Sequence, residues 1–176
     1  DDVIWGMDFI DKENLIFTQK SGLLSILNLK TKEIRDIKHN LNIFNVGQGG
    51  LLDIKVSPTY EKDKTIFITY SKRVSNMGAT TLVKARLEKN VLFDIVELLE
   101  TKSLSDKGYH FGSRITFDKD GHIFFSIGDR GFRMNSQNLS NHSGSIIRLN
   151  QDGTIPKDNP FFDNNMSLKE IYSYGH

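Results

Sequence analysis

Arg114–Gly128 reads RITFDKDGHIFFSIG. Ile115 and Phe117 alternate with polar residues, Asp118-Lys119-Asp120-Gly121 interrupts, and an Ile-Phe-rich run follows. β-Branched and aromatic residues on either side of an Asp-Gly pair spell a β-hairpin, because glycine accepts the positive φ that a tight turn requires. Two other stretches repeat this order: MDFIDKENLIFTQ from Met7 and LDIKVSPTYEKDKTIFITY from Leu52. Matching their Ile-Phe pairs makes Ile16, Ile66 and Ile123 equivalent, at a period of about 50 to 57 residues. Each unit continues into two more strand-like runs, such as Thr80–Leu87 and Val91–Leu99, joined near Lys89-Asn90.

Four strands at this period are the pattern of a β-propeller blade. A blade cannot bury both of its faces alone, so neighbouring blades must stack on it. The fold expectation is therefore all-β, a propeller with about three blades, at approximately 1–45, 46–105 and 106–160. Glu170–His176 reads as the start of a fourth blade, within 161–176. Propellers close with about four to eight blades. Three would leave large apolar faces bare, so the expectation is either a part of a longer protein or a homodimer that completes one ring. The stop inside a motif-like segment points to the first.

Composition excludes several classes. Lys and Arg number 23 against 22 Asp and Glu, and no basic cluster is dense enough to track phosphates, so nucleic acid is not expected as a partner. No apolar run reaches the length of about 18 residues that a membrane-spanning helix needs. With no cysteine, disulfides and thiolate chemistry are excluded.

The loops at strand tips carry the candidate chemistry. His110 stands at a strand entrance, in Gly108-Tyr109-His110-Phe111-Gly112. An imidazole there can serve as a general base, or as a turn histidine bonded to a backbone carbonyl. Asp129, in Gly128-Asp129-Arg130-Gly131, can orient that histidine, or cap backbone amides of its own turn. Gln48 lies among Gly47, Gly49 and Gly50, where a flat ligand could approach closely; a flexible loop is the plainer reading. The segment lacks the Lys-Ser/Thr of a phosphate loop. Asp118–Gly121 opens like a calcium loop, but its glycine comes too early and no glutamate closes it. His39 and His142 sit in polar stretches without a ligand set and read as surface or internally satisfied residues. Trp5 reads as core.

Five motifs then occur in order along the chain: WGMDFI from Trp5, GQGGLLDIKVSP from Gly47, YHFGSRITFDKDGHIFFSIGDRG from Tyr109, GSIIRLNQDGTIPKDNPF from Gly144 and EIYSYGH from Glu170. Together they resemble the glucose/sorbosone dehydrogenase family, the soluble aldose sugar dehydrogenases that use pyrroloquinoline quinone (PQQ). The resemblance implies a six-bladed propeller with PQQ on its top face, and oxidation of an aldose at C1 to the lactone with hydride transfer to the quinone. It implies that His110 is the base that takes the C1 hydroxyl proton and that Asp129 is its partner. It places Gln48 beside cofactor and substrate, and Arg130 and Arg133 in the loop lining the same pocket. It implies calcium as well, with ligands expected mostly outside this chain, and a periplasmic or secreted location. Two departures stand out. Ser113 replaces a more usual glycine, and the chain stops at His176, before the Arg-Asn-Pro that helps to bind PQQ in the family. Two other readings stay open. One is a half-propeller assembly module that self-associates without activity. The other is a lactonase-type hydrolase, which needs an axial metal cage for which the sequence offers no clear set.

Overall fold

In a computed structural model that describes residues 2–176, the chain forms three four-stranded antiparallel sheets, each a simple meander. The first contains β1 (Ile4–Phe9), β2 (Asn14–Gln19), β3 (Leu24–Asn28) and β4 (Ile34–Asp36). The second contains β5 (Leu51–Val56), β6 (Thr65–Val74), β7 (Met77–Glu88) and β8 (Val91–Glu100). The third contains β9 (Ile115–Phe117), β10 (Ile123–Ile127), β11 (Ser145–Leu149) and β12 (Ile171–Tyr174). A single helical turn, α1 (Tyr60–Asp63), and a 3-10 turn (Arg133–Gln137) interrupt the strands. This is the propeller blade arrangement read from the repeat, and no helix among the described residues is long and apolar enough to cross a membrane.

The hairpins follow their sequences. Between β9 and β10, Asp118 Oδ1 accepts the N–H groups of Asp120 (3.0 Å) and His122 (2.8 Å), while Gly121 takes φ +85°. β7 and β8 turn at Lys89-Asn90, both at positive φ, with Glu88 paired to Val91.

Two apolar layers bind the sheets face to face. Ile16, Leu24 and Ile26 of the first sheet meet Leu51, Ile54, Ile66 and Ile68 of the second. Phe67 and Leu82 of the second meet Ile115, Ile123, Phe125 and Ile127 of the third. Each such side chain, fully buried, contributes about 1.5–3 kcal/mol. The outward faces of the end sheets remain bare: Met7, Phe9 and Ile34 are exposed on the first, and Tyr172 is exposed beside Phe124 on the third.

Polar bonds fix how each sheet is phased against the next. Thr18 Oγ1 accepts from Gly6 N–H (2.9 Å) in its own sheet and donates to Leu52 O (2.7 Å) in the next. Thr69 repeats this, accepting from Asp53 N–H (3.2 Å) and donating to Ser113 O (2.9 Å). In the third sheet Ser126 Oγ accepts from Ser113 N–H (3.2 Å). These hydroxyls align Leu15-Ile16-Phe17-Thr18 with Ile66-Phe67-Ile68-Thr69 and Ile123-Phe124-Phe125-Ser126. The equivalence of Ile16 with Ile66 and Ile123 is thus one residue out. Ile16 faces forward to the second sheet, whereas Ile66 and Ile123 face back, because a one-residue slip moves a strand residue to the other face.

Asp53, 4% exposed, ties the second sheet to the third. It accepts from Ile115 N–H (2.7 Å) and from Arg114 Nη1 (3.0 Å). Burial raises its pKa, against the pull of these two donors. Gly6 makes room for it: a Cβ there would lie 2.3 Å from Asp53 Oδ1 and 2.8 Å from Asp53 Cα.

One expectation is overturned. Residues 161–176 do not begin a fourth blade. Ile171–Tyr174 pairs antiparallel with β11, Ser145 opposite Tyr174, and completes the third sheet. Asn159 folds the polar stretch before it back: its Nδ2 donates to Arg148 O (3.1 Å) and Lys169 O (3.0 Å), laying residue 170 beside β11.

Candidate active site

His110 lies in the loop between the second and third sheets, with φ +57°. Three separate bonds hold it. Its N–H donates to Gln48 Oε1 (2.9 Å), its carbonyl accepts from Arg130 Nη1, and its Nδ1 is 2.6 Å from Asp129 Oδ1. Tyr109 packs edge-on against the imidazole, with ring centres 5.0 Å apart. Gln48 reaches it because the two loops nearly touch. Gln48 N–H donates to Gly108 O (2.6 Å), and a Cβ on Gly47 would fall 2.1 Å from that same oxygen. The glycines around Gln48 therefore serve loop-to-loop approach, and the amide supports the histidine main chain.

Asp129 follows β10 directly, at its upper tip. Oδ1 accepts both from His110 and from Gly131 N–H (2.7 Å). The bond from His110, then that from Gly131, holds the carboxyl below the usual carboxylate range. A carboxylate only accepts, so Nδ1 carries the imidazole proton and Nε2 is left with a free lone pair. Half of the His110 side chain is exposed (51%), and Nε2 has no hydrogen-bond partner among the described residues.

The arginines fall in different places from those expected. Arg130 does not line the pocket. It is 3% exposed and lies under His110, with Nε bonded to Ser103 O (3.0 Å) and Nη2 to Thr80 Oγ1 (2.7 Å) and Ser103 Oγ (2.8 Å). Burial pushes its pKa down to about 9, partly opposed by Asp129, so it stays charged at neutral pH. Arg133 opens the 3-10 turn and is exposed, with no side-chain bond to the other four candidates.

An open pocket of about 340 Å³ adjoins His110, walled by Trp5, Gln48, Leu52, Ser113 and Arg114 among others. Trp5, expected in the core, is only half-buried at this wall, and its Nε1 is enclosed without a partner. Arg114 also escaped sequence reasoning. Its side chain is 74% exposed and is anchored on one side by Asp53. The available signal was a charged residue at the head of an otherwise apolar, alternating strand. A second cavity of about 360 Å³, walled by residues such as Asp63, Lys84, Arg86 and Asp94, contains no base–partner pair.

The remaining histidines are satisfied. His142 is buried; Nδ1 accepts Lys102 N–H (2.7 Å) and Nε2 meets Glu170 Oε1 (2.8 Å). His39 Nε2 lies 2.8 Å from Gly22 O. Asp118, Asp120 and His122 bring potential metal-ligand atoms within 4.8 Å of one another. They sit at the far end of β10 from His110. Asp118 is engaged by the turn amides and His122, and the Arg148 guanidinium lies 3.1 Å from His122 Nδ1.

Comparison with known proteins closes on the same family. The pattern of the Glucose / Sorbosone dehydrogenase family matches residues 1–176. An uncharacterised protein of Synechocystis is 32% identical over 98% of this chain and 46% of its own length. The aldose sugar dehydrogenase YliI of Escherichia coli is 29% identical over 97% of this chain and 47% of its own. Quinoprotein glucose dehydrogenase B of Acinetobacter calcoaceticus is 24% identical over 99% of this chain and 41% of its own. The chain thus spans about half the length of the curated relatives it matches. The crystal structure of the soluble aldose sugar dehydrogenase from Escherichia coli superposes with a TM-score of 0.92 at 28% identity, covering 98% of this chain and 51% of that one.

Proposed function

Because the chain belongs to the glucose/sorbosone dehydrogenase family, we propose that it supplies the proton-accepting part of a PQQ-dependent aldose dehydrogenase site. The observation that carries this is the His110–Asp129 pair, at 2.6 Å, with Nε2 open beside a pocket. Relatives named as an aldose sugar dehydrogenase and a quinoprotein support the substrate class and the cofactor.

The residues present fit a flat, polyanionic quinone. A pocket of about 340 Å³ offers one exposed guanidinium (Arg114), one amide (Gln48) and one aromatic wall with an unpartnered indole N–H (Trp5). Those three residues would hold it. When bound, PQQ supplies the hydride acceptor. His110 Nε2 takes the proton of the sugar C1 hydroxyl as the C1 hydride departs, which leaves the lactone. Asp129 keeps the proton on Nδ1 beforehand and faces the imidazolium afterwards. Gln48 fixes the histidine main chain from the neighbouring sheet. No carboxylate set for calcium stands at this pocket among the described residues, and calcium is assigned to no residue of this chain.

The test uses the protein expressed from its complete gene. PQQ titration followed by absorbance should saturate, and an aldose should drive dye reduction. His110→Ala should lower that rate by about 10²–10⁴-fold while leaving PQQ binding intact. A protein that binds no PQQ and reduces no dye with any aldose overturns the proposal; self-association in its place would favour the assembly reading.

A further inference from the structure

We infer that Arg130 is a positioning residue for His110, setting the base through its main-chain carbonyl and not through contact with cofactor or sugar. The inference rests on His110 being the base.

Arg130 is almost fully enclosed, and its guanidinium nitrogens are already engaged. Nε donates to Ser103 O (3.0 Å), Nη1 to His110 O, and Nη2 to Thr80 Oγ1 (2.7 Å) and Ser103 Oγ (2.8 Å). Its plane lies over the Phe111 ring, 4.4 Å from the centroid. Thr80 belongs to β7, Ser103 to the linker after β8, and His110 to the loop that enters the third sheet. One planar group therefore joins three separate segments beneath the base. A guanidinium can meet such in-plane acceptors together, whereas an ammonium on a flexible stem cannot.

The link to chemistry is the backbone of His110. Its φ of +57° is one that side chains other than glycine seldom adopt. The conformation persists because both flanking peptide groups are pinned, the N–H by Gln48 and the carbonyl by Arg130. Freed at its carbonyl, the residue relaxes toward negative φ and swings the imidazole away from Asp129. The neighbours Asp129 and Arg130 thus share the placement of the base. The carboxylate sets the ring proton, and the guanidinium sets the ring position. Thr80 extends the same network, since its hydroxyl accepts from Arg130 and donates to Phe111 O (2.7 Å).

The experiment compares Arg130→Lys, Arg130→Met and Ser103→Ala in the protein from its complete gene. Arg130→Lys and Arg130→Met should lower kcat/KM by about 10²-fold, the usual effect of misplacing a catalytic group by about an ångström. The dissociation constant of PQQ should stay within about twofold, as expected for a side chain that does not touch it. The ¹⁵N signals of His110 should shift from a single Nδ1–H tautomer to a mixture, and the pH profile of kcat/KM should change shape. A merely structural role would lower the melting temperature and leave the tautomer and the pH profile alone. Ser103→Ala removes one acceptor and should give an intermediate loss, so the test stands if the Arg130 variants do not fold. A tenfold weaker affinity for PQQ with an unchanged His110 tautomer would overturn the inference and return Arg130 to the cofactor. If the parent protein neither binds PQQ nor reduces dye, the functional proposal fails, while the ¹⁵N signals still report whether Arg130 sets the ring.

Discussion

Replacing Asp129 by asparagine separates two services of the carboxylate. The carboxylate fixes the imidazole tautomer, and it stabilises the positive ring that forms when His110 accepts a proton. Both the His110 and the Gly131 bonds fall on the same oxygen, Oδ1. Asparagine can place its carbonyl oxygen there, accept both bonds and turn its NH₂ toward the position of Oδ2. The tautomer then survives and only the charge is lost. For charge centres about 4 Å apart, the attraction is about 1 kcal/mol in a water-like medium and about 4 kcal/mol at an effective dielectric near 20. The histidine side chain is 51% exposed and the aspartate 18%, so the site lies toward the weaker end. About 2 kcal/mol, or roughly 30-fold in kcat/KM, is the expected loss. Asp129→Ala removes the acceptor as well and should fall at least tenfold further. Steady-state dye reduction by an aldose with PQQ-loaded protein measures both variants, and ¹⁵N shifts of His110 report the tautomer. A loss beyond 10³-fold in Asp129→Asn with the Nδ1–H tautomer intact would refute the reasoning, as would a loss below twofold in both variants.

Three further outcomes concern stability. Asp53→Ala strands the buried Ile115 N–H, at about 1–3 kcal/mol, while the exposed Arg114 rehydrates at little cost, so the urea midpoint should fall by the equivalent of about 2 kcal/mol. Asp53→Asn keeps an acceptor for Ile115 and relieves a buried charge. Since burial raises the folded carboxyl pKa, that charge opposes folding increasingly as pH climbs above the unfolded value near 3.9, and Asp53→Asn should gain on the parent over that rise; a loss equal to that of alanine sinks this account. Glu170 has the opposite sign. Burial raises its pKa, but the His142 bond and a backbone bond outweigh it and the net shift is downward. Its contribution is full above the unfolded value near 4.3 and is lost as pH falls through the lower folded value. Melting temperature should therefore drop more steeply below about pH 4.5 in the parent than in Glu170→Gln, and parallel curves would contradict this.

The strands were legible because their faces alternate and their turns carry Asp-Gly or Lys-Asn. His110 and Asp129 were legible as candidates because both lie near glycines at strand tips; the residues alone favoured a turn histidine and a turn aspartate, and the family resemblance favoured base and partner, whose side chains the 2.6 Å contact brings together. Three things were hidden, each for a physical reason. The one-residue slip of Ile16 was invisible because Leu15-Ile16-Phe17 is apolar on both faces, so alternation does not say which side meets the second sheet. The return of β12 was invisible because it depends on Asn159, whose two carbonyl partners lie about ten residues away on either side. The burial of Arg130 was invisible because its acceptors, at Thr80 and Ser103, come from distant segments of the chain, and nothing in Asp129-Arg130-Gly131 distinguishes a cation under a loop from one lining its mouth.

The hydroxyls of Thr18 and Thr69 divide labour with the oily layers around them. Apolar contact is non-directional and lets two surfaces slide, so it glues the sheets without telling them where to stop. A hydrogen bond has a length and an angle and acts as a detent. Gln48 is carried by the second sheet and His110 by the third, so their 2.9 Å bond is a measurement taken across a joint. The tooth that holds that joint in phase is Thr69 on Ser113 O, at the root of the loop that carries the base. Substitutions in the apolar layers should therefore change how firmly the site is held, and a change at Thr69 should change where it points.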